Sequence, residues 1–226
     1  MKALLFGSIG TLVETSELQR AAFNDAFTAH NLSWHWARQD YQNMLATSGG
    51  QQRIARYAAS LGEEVDARAI HATKSDLFQT RLAEQTLHPR PGTAALAAAA
   101  TDHGMTIGFV TTTEAKTVTT ICNALTRLGW PAFDILTSRD DGAPAKPDPA
   151  IYDRVLRILG LKARDALAIE DNADGVAAAK AAGLFTVGFP GANTRAEDLI
   201  GADLTVEDGL KDAVLPKLLG NLEAAQ

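Results

Sequence analysis

Short apolar runs of strand length recur along this chain with helical segments between the later ones, which restricts the folds that the chain can adopt. Five runs are clear and a sixth is weaker: "ALLF" (3–6), "TIGFVT" (106–111), "FDILTS" (133–138), "ALAIE" (166–170), "LFTVGF" (184–189) and "ADLTV" (202–206). Strands that alternate with helices form a mostly parallel sheet with helices on both faces. The pattern therefore predicts an α/β fold with a Rossmann-like parallel-sheet core.

The helices between the later strands have recognisable ends in the sequence. The helix after "TIGFVT" is expected to have Thr113 as its N-cap and Gly129 beyond its end. The next helix should have Asp148 at its cap and Pro149 at its first position. The helix after "ALAIE" should close on Gly183.

Residues 15–88 differ from the rest, because helical patterns follow one another there with no strand between them. Four segments are typical of helices: "ELQRAAFNDAFTAHNL", "WARQDYQNMLATSG", "QQRIARYAASLG" and "DARAIHATKSDLFQTRLAEQTL". A helical block between the first and second strands is an insertion into the α/β core. We expect a core of residues 1–14 and 89–226, an α-helical cap of residues 15–88, and a return hinge at "HPRPG" (88–92).

The composition of the 226 residues is that of a globular protein, with 46% hydrophobic and 21% charged residues. A net charge of −6 without a basic run argues against a nucleic-acid partner. The N-terminal apolar run is interrupted by Gly7 and Gly10 and is too short for a signal peptide or a membrane span. The single cysteine, Cys122, cannot form an internal disulfide and is expected to be a packed core thiol, so we expect a cytoplasmic protein.

Ligands of open parallel sheets bind beyond the carboxyl ends of the strands, so the residues there form the candidate site. Thr111 and Thr112 follow one strand and precede a helix, and Lys146 is the only lysine in the loop "SRDDGAPAKPDP" after the third strand. Hydroxyls, backbone N–H groups and one positive charge make a cradle for an anion such as phosphate. Glu170 and Asp171 end the fourth strand, and carboxylates are hard oxygen ligands suited to Mg²⁺.

Each of these residues also has a purely structural interpretation. Thr111 can be only a capping residue, and Lys146, near two prolines, can be a solvated loop lysine. Glu170 and Asp171 are more telling, because adjacent acids at the end of a buried strand are unfavourable unless something pairs with them. The first strand ends in residues 7–11, "GSIGT", which offer almost no chemistry.

The order of these motifs resembles that of the haloacid dehalogenase (HAD) superfamily, in the subfamily whose helical cap follows the first strand. Within it, the chain is most similar to the CbbY-like branch, which is related to β-phosphoglucomutase. The similarity covers nearly the whole chain. "GTLVET", "AFNDAF", "LSWHW" and "SGGQQRI" match cap features, "RPG" matches the return, and "VTTT", "AKPDPAIY" and "IEDNADGVAAAKAAG" match the second, third and fourth motifs. The resemblance implies a phosphatase fold, a phosphorylated metabolite as ligand and Mg²⁺ as cofactor.

The first motif departs from the pattern of these phosphatases. They start from Asp-x-Asp-Gly-Thr, in which the first aspartate attacks phosphorus and the second protonates the leaving group. Here the two positions are Gly7 and Ile9, whereas Gly10 and Thr11 are retained. Glycine has no nucleophile and isoleucine has no proton to give, so the resemblance implies a site without intact catalytic residues.

The loss of these carboxylates has further consequences for binding. The family's Mg²⁺ takes an acid from position 7, so Mg²⁺ is possible but weakened, with Asp171 and the nearby Glu170 remaining. Phosphate binding need not be lost, because Lys146 should be less opposed once two negative charges are removed. Ser8 is not expected to substitute as nucleophile. Adjacent strand residues point to opposite sides, and no histidine is placed to activate it.

In the cap, the resemblance points to Arg20, Asn24 and Arg53 as substrate contacts. Trp34 and Trp36 are expected in the cap core or on the cap surface rather than as platforms for a sugar. These cap residues carry no catalytic group, so they bear on specificity rather than on chemistry.

Three functions remain open from the sequence. The first is a pseudo-phosphatase that binds a phosphorylated metabolite without turning it over. The second is an Mg²⁺-dependent sugar-phosphate phosphatase of weak or unconventional activity, and the third is a non-enzymatic interaction subunit. The retained Thr111, Lys146 and Asp171 favour the first two over the third. The sequence does not specify the ligand, the oligomeric state or a protein partner.

Overall fold

The computed structural model describes residues 1–45 and 49–220, which divide into two compact units. One unit comprises Met1–Glu14 and the chain from Leu87 onward, and the other comprises Thr15–Thr86. Residues 46–48 belong to the predicted segment "WARQDYQNMLATSG" and in part to "SGGQQRI", and they lie outside the described residues. The two units are described separately below.

The first unit is built on a six-stranded parallel sheet with the order β3-β2-β1-β4-β5-β6. Its strands are β1 (Ala3–Phe6), β2 (Thr106–Phe109), β3 (Ile135–Leu136), β4 (Ala166–Glu170), β5 (Phe185–Gly188) and β6 (Leu204–Thr205). Each of the six apolar runs contributes one strand, the weaker "ADLTV" included. The predicted parallel-sheet core is therefore confirmed.

Ten α-helices are found in the part of the chain that the structure describes. They are α1 (Ile9–Leu12), α2 (Ser16–Ala29), α3 (Arg38–Met44), α4 (Gly50–Leu61), α5 (Ala67–Glu84), α6 (Thr93–Asp102), α7 (Ala115–Arg127), α8 (Ala150–Leu159), α9 (Ala173–Ala181) and α10 (Leu210–Leu219). Helices α2 to α5 form the second unit, and the others belong to the first. Within the described residues, no helix combines the length and apolar character needed to cross a bilayer.

Over its described residues, the second unit contains helices joined by loops and no strand, as expected for an inserted cap. Its core is aromatic, with Phe23, Phe27 and Tyr41 packed around the fully buried Trp36. The Trp36 ring centroid lies 4.7 Å from that of Phe27 and 4.9 Å from that of Phe23. Trp34 is also buried, so both tryptophans lie in the core of the cap unit, one of the two predicted locations.

Two of the predicted helix starts need correction. Helix α7 begins at Ala115 and has no side-chain cap, so the prediction of Thr113 as its N-cap is wrong. Helix α8 begins at Ala150, which places Pro149 at the cap position rather than at the first helical position. Asp148, predicted at the cap, therefore lies one residue before it, although its Oδ1 accepts a hydrogen bond from the Ala150 N–H at 2.9 Å.

The single cysteine lies on α7 beside the face that enters the core. Cys122 is half-buried, whereas the prediction placed it fully in the core. Burial raises the pKa of its thiol to about 11. The thiol therefore stays protonated at neutral pH and is a poor nucleophile.

Candidate functional site

The carboxyl ends of β2, β1 and β4 lie side by side at one edge of the sheet, because these strands are neighbours in that order. At the end of β1, Phe6 is in register with Phe109 of β2 and Ile169 of β4. The loops that carry Gly7 and Thr111 and the acids that end β4 are thereby brought together. This edge of the first unit is the candidate site.

Lys146 reaches this edge from the loop before α8. Its Nζ donates hydrogen bonds to the carbonyl oxygen of Gly7, to that of Val110 at 2.9 Å, and to Glu170 Oε1 at 2.6 Å. The Lys146 side chain is 9% exposed and that of Glu170 is 0% exposed, so the two form a buried ion pair. The alternative of a solvated loop lysine is therefore wrong. The expectation that loss of two carboxylates leaves Lys146 less opposed stays a prediction, and Glu170 supplies one opposing charge here.

Glu170 has a second donor that was not predicted from the sequence. The Tyr152 hydroxyl on α8 donates to Glu170 Oε1 at 2.6 Å. Burial raises the pKa of Glu170, although Lys146 and Tyr152 oppose the shift. Burial, with Glu170 adding to it, raises the pKa of Tyr152 well above its ordinary value, so the phenol remains a donor. The other oxygen, Glu170 Oε2, packs on Gly175 and has no hydrogen-bond partner among the described residues.

The glycine at position 7 makes room for this network. A Cβ added to Gly7 would overlap Glu170 Oε1 and the Tyr152 hydroxyl. Gly7 does not have a left-handed backbone conformation, so the restriction at this position is one of space. Ile9, the other altered position, is buried within α1. Any side chain at position 7 therefore requires Glu170 and Tyr152 to move.

Ser8 faces Asp171, whereas a Cβ added to Gly7 would face Glu170 and Tyr152, so these adjacent positions meet different groups. Ser8 Oγ donates to Asp171 Oδ1 at 2.5 Å. β1 ends at Phe6, and Ser8 takes the N-cap position of α1 with an extended backbone. Gly10 helps, because an added Cβ at that position would overlap Asp171 Oδ2.

Thr111 has mainly a structural role at this edge. Its N–H donates to Thr137 Oγ1 at 2.8 Å, and the Thr137 hydroxyl donates back to the Thr111 carbonyl at 2.9 Å. The Thr111 hydroxyl accepts a hydrogen bond from the Thr113 N–H at 3.2 Å. Thr112 is half-buried and lies just before the uncapped N-terminus of α7. Within the predicted anion cradle, Thr112 and this helix end are therefore more open to a ligand than Thr111.

The carboxylates at this edge do not gather into a metal site. Over residues 1–45 and 49–220, no group of three or more His, Cys, Asp or Glu side chains is placed to hold a metal ion. Glu170 is committed to its ion pair, and Asp171 accepts from Ser8 and, at 2.7 Å, from Asn172. Gly7 supplies no carboxylate. Each acid of the fourth motif is thus held by protein donors through one oxygen, and with Glu170 in its ion pair and no carboxylate at position 7 the donor set fits Mg²⁺ poorly.

A second cation, Arg90, connects the loops around the site and was not predicted to do so. Its guanidinium donates to the carbonyl oxygens of Gly10 and Phe189, both at 2.8 Å, and of Pro190 at 2.6 Å. It also lies 3.5 Å from the centroid of the Phe189 ring. Burial lowers the pKa of Arg90, but a guanidinium remains charged in proteins. In the sequence, this residue is the arginine of "HPRPG", a segment whose pattern indicates only a return hinge.

The three cap residues predicted as substrate contacts have partners within the second unit. Arg20 donates to the Trp36 carbonyl at 2.9 Å. Asn24 donates to the same carbonyl at 3.2 Å and accepts from the Trp36 N–H at 2.9 Å. Arg53 is buried and donates to the Met44 carbonyl at 3.1 Å. These contacts hold the cap core together, and a contact of these residues with substrate stays a prediction.

Comparisons with known proteins place these features in context. The sequence matches the haloacid dehalogenase-like hydrolase family over residues 1–183. It is 39% identical over 209 residues to the protein CbbY of Cereibacter sphaeroides, covering 90% of each chain. It is 36% identical over 212 residues to the protein CbbY of Rhodobacter capsulatus, covering 92% of this chain and 93% of that one.

Solved structures give the same result. The crystal structure of CbbY from Rhodobacter sphaeroides in complex with phosphate has a TM-score of 0.78 and 38% identity, over 92% of this chain and 94% of that chain. A mutant of that protein in complex with xylulose-(1,5)bisphosphate gives the same values. The parallel sheet and helical insertion described above are therefore shared with a protein that binds phosphate.

Proposed function

We propose that this chain, which belongs to the haloacid dehalogenase-like hydrolase family, is a pseudo-phosphatase that binds a phosphorylated metabolite without hydrolysing it. The observation that carries the proposal is at position 7. Gly7 has no nucleophile, and Glu170 and Tyr152 fill the space that a side chain would need. Ile9 removes the second carboxylate that the family uses for proton transfer.

The support for a phosphorylated ligand comes from the relatives and from the strand ends. CbbY has been crystallised with phosphate and with xylulose bisphosphate. In this chain, half-buried Thr112 and the N-terminus of α7 offer hydroxyl and backbone donors, which favour an anion. The hydrogen bonds of Lys146 go to groups of the protein, so phosphate binding depends more on these neutral donors than the sequence suggested.

Weakened Mg²⁺ binding is part of the same proposal. Phosphatases of this family generally use Mg²⁺, and its carboxylate ligand at position 7 is absent here. Glu170 is paired with Lys146, and Asp171 accepts from Ser8 and Asn172. No step of the proposed function depends on the metal, because binding without hydrolysis needs neither a metal-activated nucleophile nor a leaving-group acid.

The native protein is expected to release no phosphate from a panel of sugar phosphates with Mg²⁺, above the level of its Lys146→Met variant. Removing the nucleophile of a hydrolase lowers kcat on the order of 10⁶-fold, which takes turnover below detection. A phosphate-release assay that includes xylulose 1,5-bisphosphate makes this measurement. Thr112→Val is a second variant for comparison, because it leaves the buried ion pair intact. Phosphate release by the native protein that both variants lack would refute the absence of hydrolysis.

Inorganic phosphate and xylulose 1,5-bisphosphate are expected to raise the Tm of the native protein, and to raise that of Thr112→Val less. A ligand present at 100 times its Kd stabilises a protein by about 2.7 kcal/mol, which thermal unfolding detects easily. Sodium chloride at matched ionic strength is the control for salt effects. If neither probe raises the Tm at millimolar concentration, the binding half of the proposal is wrong.

A further inference from the structure

Ser8 and Asp171 form a hydroxyl–carboxylate pair that the proposed function does not use. The distance of 2.5 Å between Ser8 Oγ and Asp171 Oδ1 is that of a charge-assisted hydrogen bond. Asp171 Oδ1 also accepts from Asn172 Nδ2 at 2.7 Å, and Asn172 Oδ1 accepts from the Gly175 N–H at 2.9 Å. The chain of contacts consists of a nucleophile, a base within hydrogen-bond reach, and a third group that orients the base.

Other nucleophilic side chains at this edge are less accessible or less activated. Glu170 is completely buried in its ion pair, and Tyr152 is buried with a raised pKa. Thr111 is buried and already accepts a hydrogen bond. Ser8 and Asp171 are both half-buried, so this hydroxyl combines access from solvent with a carboxylate partner.

We propose that Ser8 is a phosphoryl acceptor, to which an acyl phosphate bound at this edge transfers its phosphoryl group once. The proposal rests on the proposed function, because the donor must first bind at the same strand ends. Ser8 Oγ forms the new bond to phosphorus while the P–O bond to the acyl group breaks. The serine proton passes to Asp171, and the carboxylate leaves with the electron pair of the broken bond.

Ile9 determines the class of donor. A sugar alkoxide needs a proton in order to leave, and isoleucine has none to give. Losing general acid help typically costs about 10²–10⁴ in rate. A carboxylate leaves without a proton, so an acyl phosphate does not depend on the missing acid.

The product also follows from this chemistry. A phosphoserine is an alkyl phosphate ester, and its hydrolysis requires a base that activates water, which the family residue at position 9 supplies. Ile9 supplies no such base, so the P–O bond of the phosphoserine is not attacked by activated water. Each chain reacts once and retains the group, which is consistent with the absence of turnover proposed above.

Incubation of the 226-residue protein with acetyl phosphate is expected to add one phosphoryl group per chain, mapped to Ser8 by mass spectrometry. Ser8→Ala should abolish the adduct, and Asp171→Asn should slow its formation by about 10²–10⁴. Gly10→Ala should also slow it, because the added Cβ displaces the Asp171 carboxylate. Ser60→Ala is the matched control. Ser60 is exposed and donates to the Tyr57 carbonyl in α4, so this variant should react like the native protein.

The failures of the two proposals can be told apart. No adduct at millimolar acetyl phosphate, with phosphate still raising the Tm, rejects the role of Ser8 and leaves the binding function intact. An adduct that hydroxylamine removes is an acyl phosphate on a carboxylate, which rejects Ser8 as the acceptor. An adduct outside the Ser8 peptide rejects it as well. Ser8→Thr retains a hydroxyl and should still react, which keeps the test valid if Ser8→Ala folds poorly.

Discussion

Replacing Lys146 by methionine is expected to destabilise the protein by about 3–5 kcal/mol, because it leaves the Glu170 carboxylate buried without a countercharge. The two side chains lie 2.6 Å apart and are 9% and 0% exposed. Glu170→Gln should cost a comparable amount, since it leaves the ammonium group without its partner. Urea denaturation at neutral pH gives the free energy of unfolding of each variant.

The double variant Lys146→Met/Glu170→Gln provides the critical comparison. It removes both charges, and glutamine keeps an acceptor for the Tyr152 hydroxyl, so the double variant should be more stable than either single one. Exchange of a buried pair for neutral groups is often close to neutral. Lys116→Met, at an exposed position on α7, should change stability by no more than about 0.5 kcal/mol. If the losses of unfolding free energy in the two single variants add up in the double variant, the two residues do not interact.

Most of the core could be predicted from the sequence, because buried parallel strands are near-continuous apolar runs. β1 and β4 are completely buried, and their bounds match "ALLF" and "ALAIE". β3 and β6 contain two residues each, although "FDILTS" and "ADLTV" are longer. These two are the edge strands of the sheet, and each pairs with only one neighbour over two residues. Apolar pattern indicates burial, whereas pairing decides how much of a run is strand.

The arrangement of the site was less predictable, for two physical reasons. The contact between Ser8 and Asp171 joins positions that are 163 residues apart, and the alternation of side chains gives a direction but not a partner. The pair between Lys146 and Glu170 joins positions that are 24 residues apart, and it depends on space left at Gly7. The motifs identified the positions of the site residues. They could not show that Glu170 and Tyr152 fill the space of the side chain missing at position 7.

Aspartate introduced alone at position 7 is expected to destabilise the protein by about 3–5 kcal/mol, because it adds a buried charge without a free partner. The new side chain would overlap Glu170 and Tyr152, and two carboxylates would compete for Lys146. Gly7→Ala adds a methyl group without a charge and should cost about 1–3 kcal/mol, which isolates the steric part. Urea denaturation of Gly7→Asp and Gly7→Ala measures both values.

Removal of Glu170 should reverse this loss. In Gly7→Asp/Glu170→Ala, the new carboxylate gains both the space and Lys146 as its partner, so the double variant should be more stable than Gly7→Asp. Gly7→Asp/Glu207→Ala, which removes an exposed acid instead, should show no recovery. A Gly7→Asp protein as stable as the native one would mean that Glu170 gives way freely. The recovery would instead show that the buried pair depends on the space left by glycine at position 7. A phosphatase site would then require release of Glu170 as well as acids at positions 7 and 9.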